Sequence, residues 1–487
     1  MAKETLRTGD RTAPKIGAKI RRLRRDKGLS QAALAERLGV SASYLNLIEH
    51  NRRRVTVNLL LQLADIFEIA PAELAEDEES QLSADVMEVL SNDLFEELDL
   101  TNTDVQELVT SSPNGAKALL KLFDAYHAAL NDMRSLSAKI ADVDEPEVSN
   151  TLPPAEQISD ILQANSNYFQ ALEDAAAKVS GEIAAIGQGS DDRGLLARYL
   201  LEAHGVRVTV VASEGPAGFQ RRFDAERGLL EISERVSPDS RKFQLAYQIG
   251  LLSSSAVIDT LLSENRVRDQ RTRALGRVAL ANYFAAALIM PYQAFLESVK
   301  SERYDIEILQ HRYAASFEQI VHRMTTLNKP EAKGVPLHML RVDIAGNNSK
   351  RFSLSGLPIP RHGGACVRWN VYSAFLDPGV IHAKVSQLPD GEAYFCIART
   401  VRKAGIGFGM PHRFLSIGLG CELRYASEFV YSDTIDLERR DRFQEIGVSC
   451  RTCERLDCTQ RAAPPVNMRY QVDENVRAHS PYVAAFD

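Results

Sequence analysis

The chain has little of what marks a secreted or membrane protein. Six cysteines are spread over 487 residues, and there is a single tryptophan. No apolar run of about 18 residues occurs, and the N-terminal stretch MAKETLRTGDRTAPK has no apolar core of the kind a signal peptide needs. These absences argue against a disulfide-stapled secreted fold and a membrane partner. They predict a cytoplasmic protein in which clustered cysteines bind metal.

Charge is distributed unevenly along the chain. Residues 1–54 carry 14 Lys and Arg against five Asp and Glu, a net charge of +9, which leaves -16 for the remainder of a chain whose total is -7. A basic end with a defined fold predicts a polyanion as partner, and the acidic remainder argues against indiscriminate binding along the whole chain. A solvated charged face is the competing interpretation of composition alone.

Periodicity favours DNA as that polyanion. From Ile16, the stretch IGAKIRRLRRDKGLSQAALAERLGVSASYLNLIEHNRRRVTVNLLLQLADIFEI indicates five short helices. Gly39 stands at the tight turn of a helix-turn-helix, and Leu45 and Ile48 fall on one inward face of the next helix. The block resembles the Cro and C1-repressor type of helix-turn-helix, which implies double-stranded operator DNA as partner. The predicted DNA-binding residues are Gln31, Ser41, Ser43, Tyr44, Asn46, Asn51, Arg52 and Arg53.

The segment that follows is helical in pattern. Apolar positions recur at helical spacing over residues 84–138, and ADVDEPEVSNTLPP, at 141–154, is acidic and non-periodic, as in a linker. Since such DNA-binding heads usually act as dimers, the helices could form a homodimer interface. Packing on the chain's own next domain is an equal alternative.

A degenerate metal site is indicated further on. The stretch RKFQLAYQIGLLSSS, at 241–255, and LANYFAAALIMP, from Leu280, follow an alternating strand and a hairpin, in the order of the ImmA/IrrE metallopeptidase domain, which this region resembles. In that family the first helix carries H-E-x-G-H and the second supplies a third ligand. Here Tyr247, Gln248, Leu251 and Leu280 stand at those positions, while Gly250 matches. The departures predict a scaffold without its metal and without peptidase activity.

A cleft without its metal is a concave, mostly apolar pocket, which is the usual description of a small-molecule site. We expect Tyr247 and Tyr283 near its floor and Arg241 at its rim, where an anion would bind. A purely structural domain is the alternative.

The third signal is a cysteine cluster. CRTCERLDC places Cys450, Cys453 and Cys458 within nine residues, and Cys421, after a glycine-flanked bend, is the candidate fourth ligand. Cys366 and Cys396 lie in strand-like apolar surroundings and are expected to be core thiols. Four thiolates suit either structural zinc or an iron-sulfur cluster.

The order of these parts, with GGACVRWNVYSAF, SIGLGCELRYA and IGVSCRTCERLDCTQRAAPP near the C-terminus, resembles the short-chain fatty acyl transcriptional regulators. The resemblance implies a sensor of coenzyme A or a short-chain acyl-CoA such as propionyl-CoA, controlling carboxylate metabolism genes. It also implies a [4Fe-4S] cluster, whose four cysteines would map to Cys421, Cys450, Cys453 and Cys458. An acyl-CoA needs basic and aromatic groups, so Arg368 and Trp369 are further candidate ligand residues, with core packing of Trp369 as the competitor.

The sequence therefore predicts a multidomain, non-enzymatic regulator. The fold class is an all-α helix-turn-helix head, an α-helical linker, an α+β degenerate ImmA/IrrE (zincin-like) domain and an α+β C-terminal domain with the cysteine cluster. The predicted boundaries are 1–75, 76–140, 141–154, 155–330 and 331–487. The alternative is a regulator whose input is redox or iron state, with no CoA ligand. An active anti-repressor protease is a more remote alternative.

Overall fold

The structure is a computed structural model. It describes residues 17–49, 53, 55–67, 78–90, 92, 95, 100–139, 153–187, 192–212, 219–360, 364–403, 412–455 and 457–464. The chain divides into two units. One unit contains residues 1–90 and 97–120, and the other contains residues 91–96 and 121–487.

The first unit contains the predicted helix-turn-helix. Its helices are α1 (Gly17–Asp26), α2 (Gln31–Arg37), α3 (Ala42–Glu49) and α4 (Val57–Phe67). The turn between α2 and α3 runs through Gly39 at φ +66°, a conformation that favours glycine. Leu45 and Ile48 are buried, as their spacing predicts, in a core shared by the four helices.

Three more helices follow in the chain: α5 (Glu78–Leu90), α6 (Asn102–Ser111) and α7 (Pro113–Lys139). Thr101 and Asp104 form a reciprocal capping box that fixes the start of α6. The division between the two units falls within α7, after Leu120. The helical prediction for 84–138 is confirmed over the described part of that range, and 141–152 of the predicted linker lie outside the described residues.

The second unit begins with helices around a small sheet. These are α8 (Pro154–Ala164), α9 (Gln170–Ala185), α10 (Asp192–His204), α11 (Pro238–Ser253), α12 (Ser255–Glu264) and α13 (Gln270–Ile289). The strands β1 (Arg207–Val211), β2 (Arg221–Asp224) and β3 (Leu229–Ser233) lie in the order β1-β3-β2, with β1 parallel and β2 antiparallel to β3. The predicted strand and hairpin are thus confirmed.

Gly250 explains how the two motif helices pack. A Cβ atom at this position would lie 2.7 Å from Cδ1 of Phe284 on α13, so only glycine allows α11 and α13 to approach this closely. The matching glycine of the metallopeptidase pattern therefore has a packing role here that needs no metal.

The rest of the unit is helices over a six-stranded sheet. Helices α14 (Tyr292–Ser301), α15 (Ile306–Tyr313) and α16 (Phe317–Met324) precede a short hairpin, β4 (Asn328–Lys329) and β5 (Ala332–Lys333). The strands of the large sheet are β6 (Leu337–Asp343), β7 (Asn348–Ser353), β8 (His382–Gln387), β9 (Ala393–Lys403), β10 (Arg413–Glu422) and β11 (Gln444–Glu445). They lie in the order β11-β8-β9-β10-β6-β7, and a short helix, α17 (Asn370–Ser373), lies against the sheet.

One apolar core joins the helices α14, α15 and α16 to this sheet. It contains Phe295, Leu309 and Ile320 from the helices and Phe395 and Leu419 from the strands. The predicted domain boundary at residue 330 therefore separates helices and strands that pack in one common core. Among the described residues, no single helix has the length and apolarity to cross a membrane, although two bent helix pairs pass the same test together by length and composition.

Candidate functional site

Helix α3 presents the candidate DNA surface. Ser41 caps this helix, since its Oγ accepts from the Tyr44 amide at 3.1 Å. Ser43 and Asn46 are exposed on α3, and the Arg53 guanidinium lies 5.7 Å from the centre of the half-buried Tyr44 ring. Groups of this kind, on the second helix of the motif, are suited to base edges and phosphates.

A buried ion pair holds α3 against α1. Arg24 donates to both carboxylate oxygens of Glu49, at 2.6 and 3.2 Å, and Gln31 donates to the same carboxylate at 3.0 Å. Gln31 also lies 3.3 Å from Asn46 Oδ1. The predicted DNA-binding residue Gln31, on α2, therefore also helps to hold α3 in place. Asn51 and Arg52 lie outside the described residues, so their predicted phosphate contacts stay predictions.

An arginine contacts two of the residues that stand at the metallopeptidase motif positions. Arg221, on β2, stacks on Tyr247 with 4.1 Å from its guanidinium carbon to the ring centre, and its Nη1 donates to Gln248 Oε1 at 2.6 Å. Tyr247 and Gln248 are buried at the positions where the metallopeptidase pattern has a ligand and the glutamate. A guanidinium held here repels a metal cation, and burial lowers its pKa only from a very high starting value.

An apolar pocket opens beside α13, between that helix and the helices α8 and α12. Ile158, Leu162, Leu261 and Leu280 are among the side chains that line it, and Asn265 supplies a polar group. Leu280 stands where the metallopeptidase pattern has its third ligand. This wall of the recess is therefore apolar.

The structure does not bring the predicted ligand residues Arg241, Tyr247 and Tyr283 together at one cleft. Arg241 donates to the backbone carbonyls of Glu234 and Val236, at 2.7 and 2.8 Å, and so fixes the start of α11 instead of projecting toward an anion. Tyr247 is covered by Arg221, and Tyr283 is buried in the core between helices.

Tyr283 belongs to a buried polar network. Its hydroxyl donates to Glu173 Oε1 at 2.7 Å, and Arg323, which is fully buried, donates to both oxygens of Glu173 at 2.6 and 2.9 Å. Arg323 also donates to the Met290 carbonyl at 3.0 Å and to Thr326 Oγ1 at 3.0 Å. Burial and the Glu173 carboxylate raise the pKa of Tyr283 well above its usual range. This tyrosine is a structural donor, which corrects its prediction as part of a pocket floor.

A second pocket collects four of the six thiols. It is lined by Cys366, Cys450, Cys453 and Cys458, together with Arg368, Arg455 and Arg461 and one carboxylate, Glu445. Burial raises the pKa of the Cys366 and Cys453 thiols, and the Arg461 and Arg455 guanidiniums only partly offset this at Cys453. Among the described residues, no three Cys, His, Asp or Glu side chains converge closely enough to hold a single ion.

The backbone around this pocket is shaped to admit sulfur. A Cβ atom at Gly447 would lie 2.7 Å from Cys453 Sγ, so glycine is required where this thiol sits. Arg461 is buried and donates to the carbonyls of Cys450 and Cys453, at 2.8 and 2.9 Å, and Cys450 Sγ accepts from the Ala462 amide at 3.4 Å. Gly447 and Arg461 therefore fix the loop that carries Cys450 and Cys453.

Cys421, the predicted fourth ligand, lies elsewhere. It is fully buried in β10, between Leu337 of β6 and Phe395 of β9. It ends an alternating row, after Ile417 and Leu419, that faces the core shared with α14 to α16. Burial raises the pKa of its thiol far above the usual range, so it is a core thiol. The thiol that lines the pocket with the three cysteines of the C-x2-C-x4-C motif is Cys366, and the four-cysteine ligand set with Cys421 stays a prediction.

Arg368 and Trp369 are divided between the cysteine pocket and the core. Arg368 lines the pocket, 3.9 Å from Glu445. The Trp369 indole is buried and donates to the Gly447 carbonyl at 2.8 Å, so the competing prediction of core packing describes its place. The expected strand at 364–369 is instead a turn that leads into α17.

Sequence reasoning did not single out Arg221 or Arg461, which have the most direct contacts with the two candidate sites. Arg221 lies at the start of the predicted hairpin, and Arg461 follows the last cysteine by three residues. A lone arginine in a sequence carries no signal of what it contacts, since both partners here are brought in by tertiary folding.

Comparison with protein families divides the chain into three matches. Residues 15–76 match a helix-turn-helix domain, residues 201–325 an IrrE N-terminal-like domain, and residues 326–482 the C-terminal domain of short-chain fatty acyl coenzyme A regulators. A solved structure described as a Mycobacterium tuberculosis transcriptional regulator is 33% identical, with a TM-score of 0.64, and covers 68% of this chain and 100% of its own.

Curated relatives match over nearly the full length. The HTH-type transcriptional regulator RamB of Mycobacterium tuberculosis is 36% identical over 96% of this chain and 98% of its own. The HTH-type transcriptional regulator PrpR of the same organism is 34% identical over 96% and 95%. The propionyl-CoA carboxylase regulator of Cereibacter sphaeroides is 36% identical over 96% and 98%. With this coverage, the chain belongs to the short-chain fatty acyl coenzyme A regulator family of helix-turn-helix transcriptional regulators.

Proposed function

We propose that this protein binds a DNA operator through α3 and that a short-chain acyl-CoA, propionyl-CoA or a close relative, sets the affinity. The observation that carries the proposal is the match of 96% of the chain to a relative named as a propionyl-CoA carboxylase regulator.

Coupling of this kind has a defined size. An effector changes operator affinity only by the ratio of its own affinities for the two states of the protein. A tenfold change in operator affinity requires about 1.4 kcal/mol of coupling. This is the magnitude that the test below must resolve.

The test is calorimetric titration of the full chain with propionyl-CoA, acetyl-CoA and free CoA, followed by operator titration with and without the ester that binds. Saturable binding that discriminates among the three, with a matching shift in operator affinity, is the expected result. Operator affinity that is indifferent to every CoA ester would overturn the acyl-CoA input.

The metallopeptidase-like domain acts here without peptide cleavage. Support comes from Arg221, whose charge is held by Tyr247 and Gln248 at two of the metal-site positions. Hydrolysis by this mechanism needs a metal-bound water and a carboxylate base, and neither an amide nor a phenol replaces them. We expect no cleavage of generic peptide substrates, with or without added zinc; chelator-sensitive cleavage would contradict this.

The cysteine pocket supports a second candidate input, redox or iron state. A [4Fe-4S] cluster held by Cys366, Cys450, Cys453 and Cys458 would make the domain sensitive to oxygen and iron supply, with structural zinc as the alternative metal. Arg461 and Gly447 shape the loop that holds the sulfurs. An iron-sulfur cluster bound here would supply electron storage, and a zinc ion would supply a structural cross-link.

Two cysteine variants of the anaerobically purified chain separate the assignments. We expect Cys366→Ser to lose iron and acid-labile sulfide and Cys421→Ser to retain both, because Cys421 faces the apolar core. The reverse pattern would restore Cys421 as a ligand, and stoichiometric zinc in colourless protein would replace the iron assignment.

A homodimer is the proposed binding form. In α7, Leu122 is 68% exposed and Tyr126 39% exposed, while Phe123 beside them is buried. Exposed apolar groups on one helix favour a protein partner, and paired half-sites require two DNA-binding heads. A Leu122→Glu/Tyr126→Glu variant that stays dimeric in analytical ultracentrifugation would remove this helix from the interface.

A further inference from the structure

Four side chains surround one carboxylate on the second unit. Glu318, on α16, is only 11% exposed, and its Oε1 lies 2.5 Å from Arg341 Nη1 and 3.6 Å from Lys350 Nζ. Its Oε2 lies 2.6 Å from Lys403 Nζ, and His322 Nε2 is 3.7 Å from Oε1. The cations come from three different strands, β6, β7 and β9, so tertiary folding assembles the cluster.

Burial favours the neutral form of the histidine in this cluster. Burial, and then the charge of Lys350, lower the pKa of His322 to about 4. Its Nε2 lies 3.0 Å from Lys350 Nζ and therefore accepts the hydrogen bond. The cluster then has three cations, Arg341, Lys350 and Lys403, against one carboxylate.

The positive charge is in excess. Among the described residues, no second carboxylate lies within ion-pair distance of Arg341, Lys350 or Lys403. The side chains of Lys350 and Lys403 are 43% and 44% exposed, while Glu318 lies beneath them. Arg413, directly opposite Lys403 in the register of β9 and β10, is a further cation at the edge, and the Asp343 carboxylate offsets its charge. This excess stands out in a chain whose residues after 54 sum to -16.

A cluster that served stability alone would be expected to approach neutrality, because like charges at close range destabilise one another. Two exposed ammonium groups above a guanidinium held in place by a buried carboxylate are suited to a dianionic oxygen-rich group. We propose that the Glu318 cluster, formed by Glu318, Arg341, Lys350 and Lys403, binds phosphate groups of a nucleotide-like ligand. The identification of that ligand as coenzyme A rests on the proposed function. The expectation that the cluster binds phosphate does not depend on the proposed function.

In this arrangement Glu318 positions Arg341 and Lys403, and the two lysines make the outward contacts. The ligand classes that share this chemistry are the 3′-phosphate and pyrophosphate of an acyl-CoA and a free phosphate compound such as adenosine 3′,5′-bisphosphate. Acyl-pantetheines carry the acyl group without these phosphates, so their binding separates recognition of the acyl group from recognition of phosphate.

The experiment uses the full chain and the double variant Lys350→Gln/Lys403→Gln. Lys178→Gln/Lys300→Gln is the matched control, because it removes the same charge from exposed lysines on α9 and α14. Each protein is titrated with propionyl-CoA, propionyl-pantetheine and adenosine 3′,5′-bisphosphate at fixed ionic strength. We expect the first variant to bind propionyl-CoA and the bisphosphate about tenfold more weakly, a loss of about 1.4 kcal/mol. Its binding of propionyl-pantetheine, and all binding by the control, should stay within about twofold.

Each other outcome has a definite meaning. Equal weakening in both double variants would overturn the site, since only general electrostatics would remain. Unchanged binding of propionyl-CoA by Lys350→Gln/Lys403→Gln would overturn the site and leave acyl-CoA sensing standing. Binding of the bisphosphate, lost in that variant, without binding of propionyl-CoA would uphold the site and overturn the proposed function. Wild-type protein that binds no phosphate compound would overturn the site.

Discussion

The buried pair of Glu173 and Arg323 gives a sharp test of what holds the second unit together. In Glu173→Gln the side chain keeps its shape and loses its charge, so the fully buried Arg323 guanidinium keeps its Met290 and Thr326 acceptors without a counter-charge. Removing one partner of a buried ion pair costs about 3–5 kcal/mol. We expect a loss of that size in the free energy of unfolding.

Two further variants calibrate this loss. Tyr283→Phe removes the hydrogen bond to the same carboxylate, at 2.7 Å, together with the hydrogen bond that its hydroxyl accepts from the Phe169 amide, at 3.2 Å, and leaves the charges paired. A hydrogen bond to a charged group contributes about 1.5–3 kcal/mol. Glu202→Gln makes the same chemical change in an exposed pair with Arg198, at 2.7 Å, where a surface pair contributes roughly 0–1 kcal/mol.

The assay is urea unfolding followed by tryptophan fluorescence. Trp369 is the single tryptophan of the chain and is buried in the second unit, so its emission reports that unit alone. The expected order of destabilisation is Glu173→Gln, then Tyr283→Phe, then Glu202→Gln. A Glu173→Gln protein within about 0.5 kcal/mol of Glu202→Gln would refute the reasoning, because the Arg323 charge would then be solvated or shared some other way.

Three more predictions concern single residues. Gly250→Ala should lower the free energy of unfolding by about 1–3 kcal/mol, because the added methyl group would clash with Phe284. Gly181→Ala, in open space on α9, should raise it by about 0.5–1 kcal/mol. Equal melting temperatures of the two variants would contradict the close approach of α11 and α13. His338 is buried, which lowers its pKa to about 3, so its contribution to stability is complete above pH 6.5 and declines as pH falls toward 3. His338→Gln should therefore reduce the fall in the free energy of unfolding between pH 6.5 and 4 by up to about 1.4 kcal/mol per pH unit, while the part due to His322, whose pKa is lowered to about 4, remains. Asn46→Ala should weaken operator binding by about 1–3 kcal/mol and relax preference at one base pair in a binding-site selection; equal weakening on random DNA would mean that Asn46 makes only phosphate contacts.

The head of the protein could be predicted from sequence because its signals are local. The turn at Gly39, the cap at Ser41 and the inward spacing of Leu45 and Ile48 each involve neighbours within a few residues. The strand and hairpin before α11 were equally accessible, since alternation and turn residues are local too.

The sites of the second unit depend on distant partners, and there sequence reasoning was wrong in specific ways. The row that contains Cys421 alternates with period two, so its thiol points into the core that α14 to α16 complete. Cys366 reaches the pocket because its amide donates to the Val448 carbonyl at 2.9 Å, a contact across 82 residues that no spacing rule encodes. Tyr283 looked like a pocket residue because the sequence does not reveal that Glu173 and Arg323 would need its hydroxyl.

The core shared by α14 to α16 and the large sheet has a practical consequence for anyone who cuts the chain into pieces. The family match to the IrrE N-terminal-like domain ends at residue 325, but Phe295, Leu309 and Ile320 before that point pack with Phe395 and Leu419 after it. A fragment that stops at 325 would display those apolar side chains to solvent and is expected to aggregate or be degraded during expression. A recombination event at the same place would fail for the same reason, so these two segments can be inherited or transplanted only together.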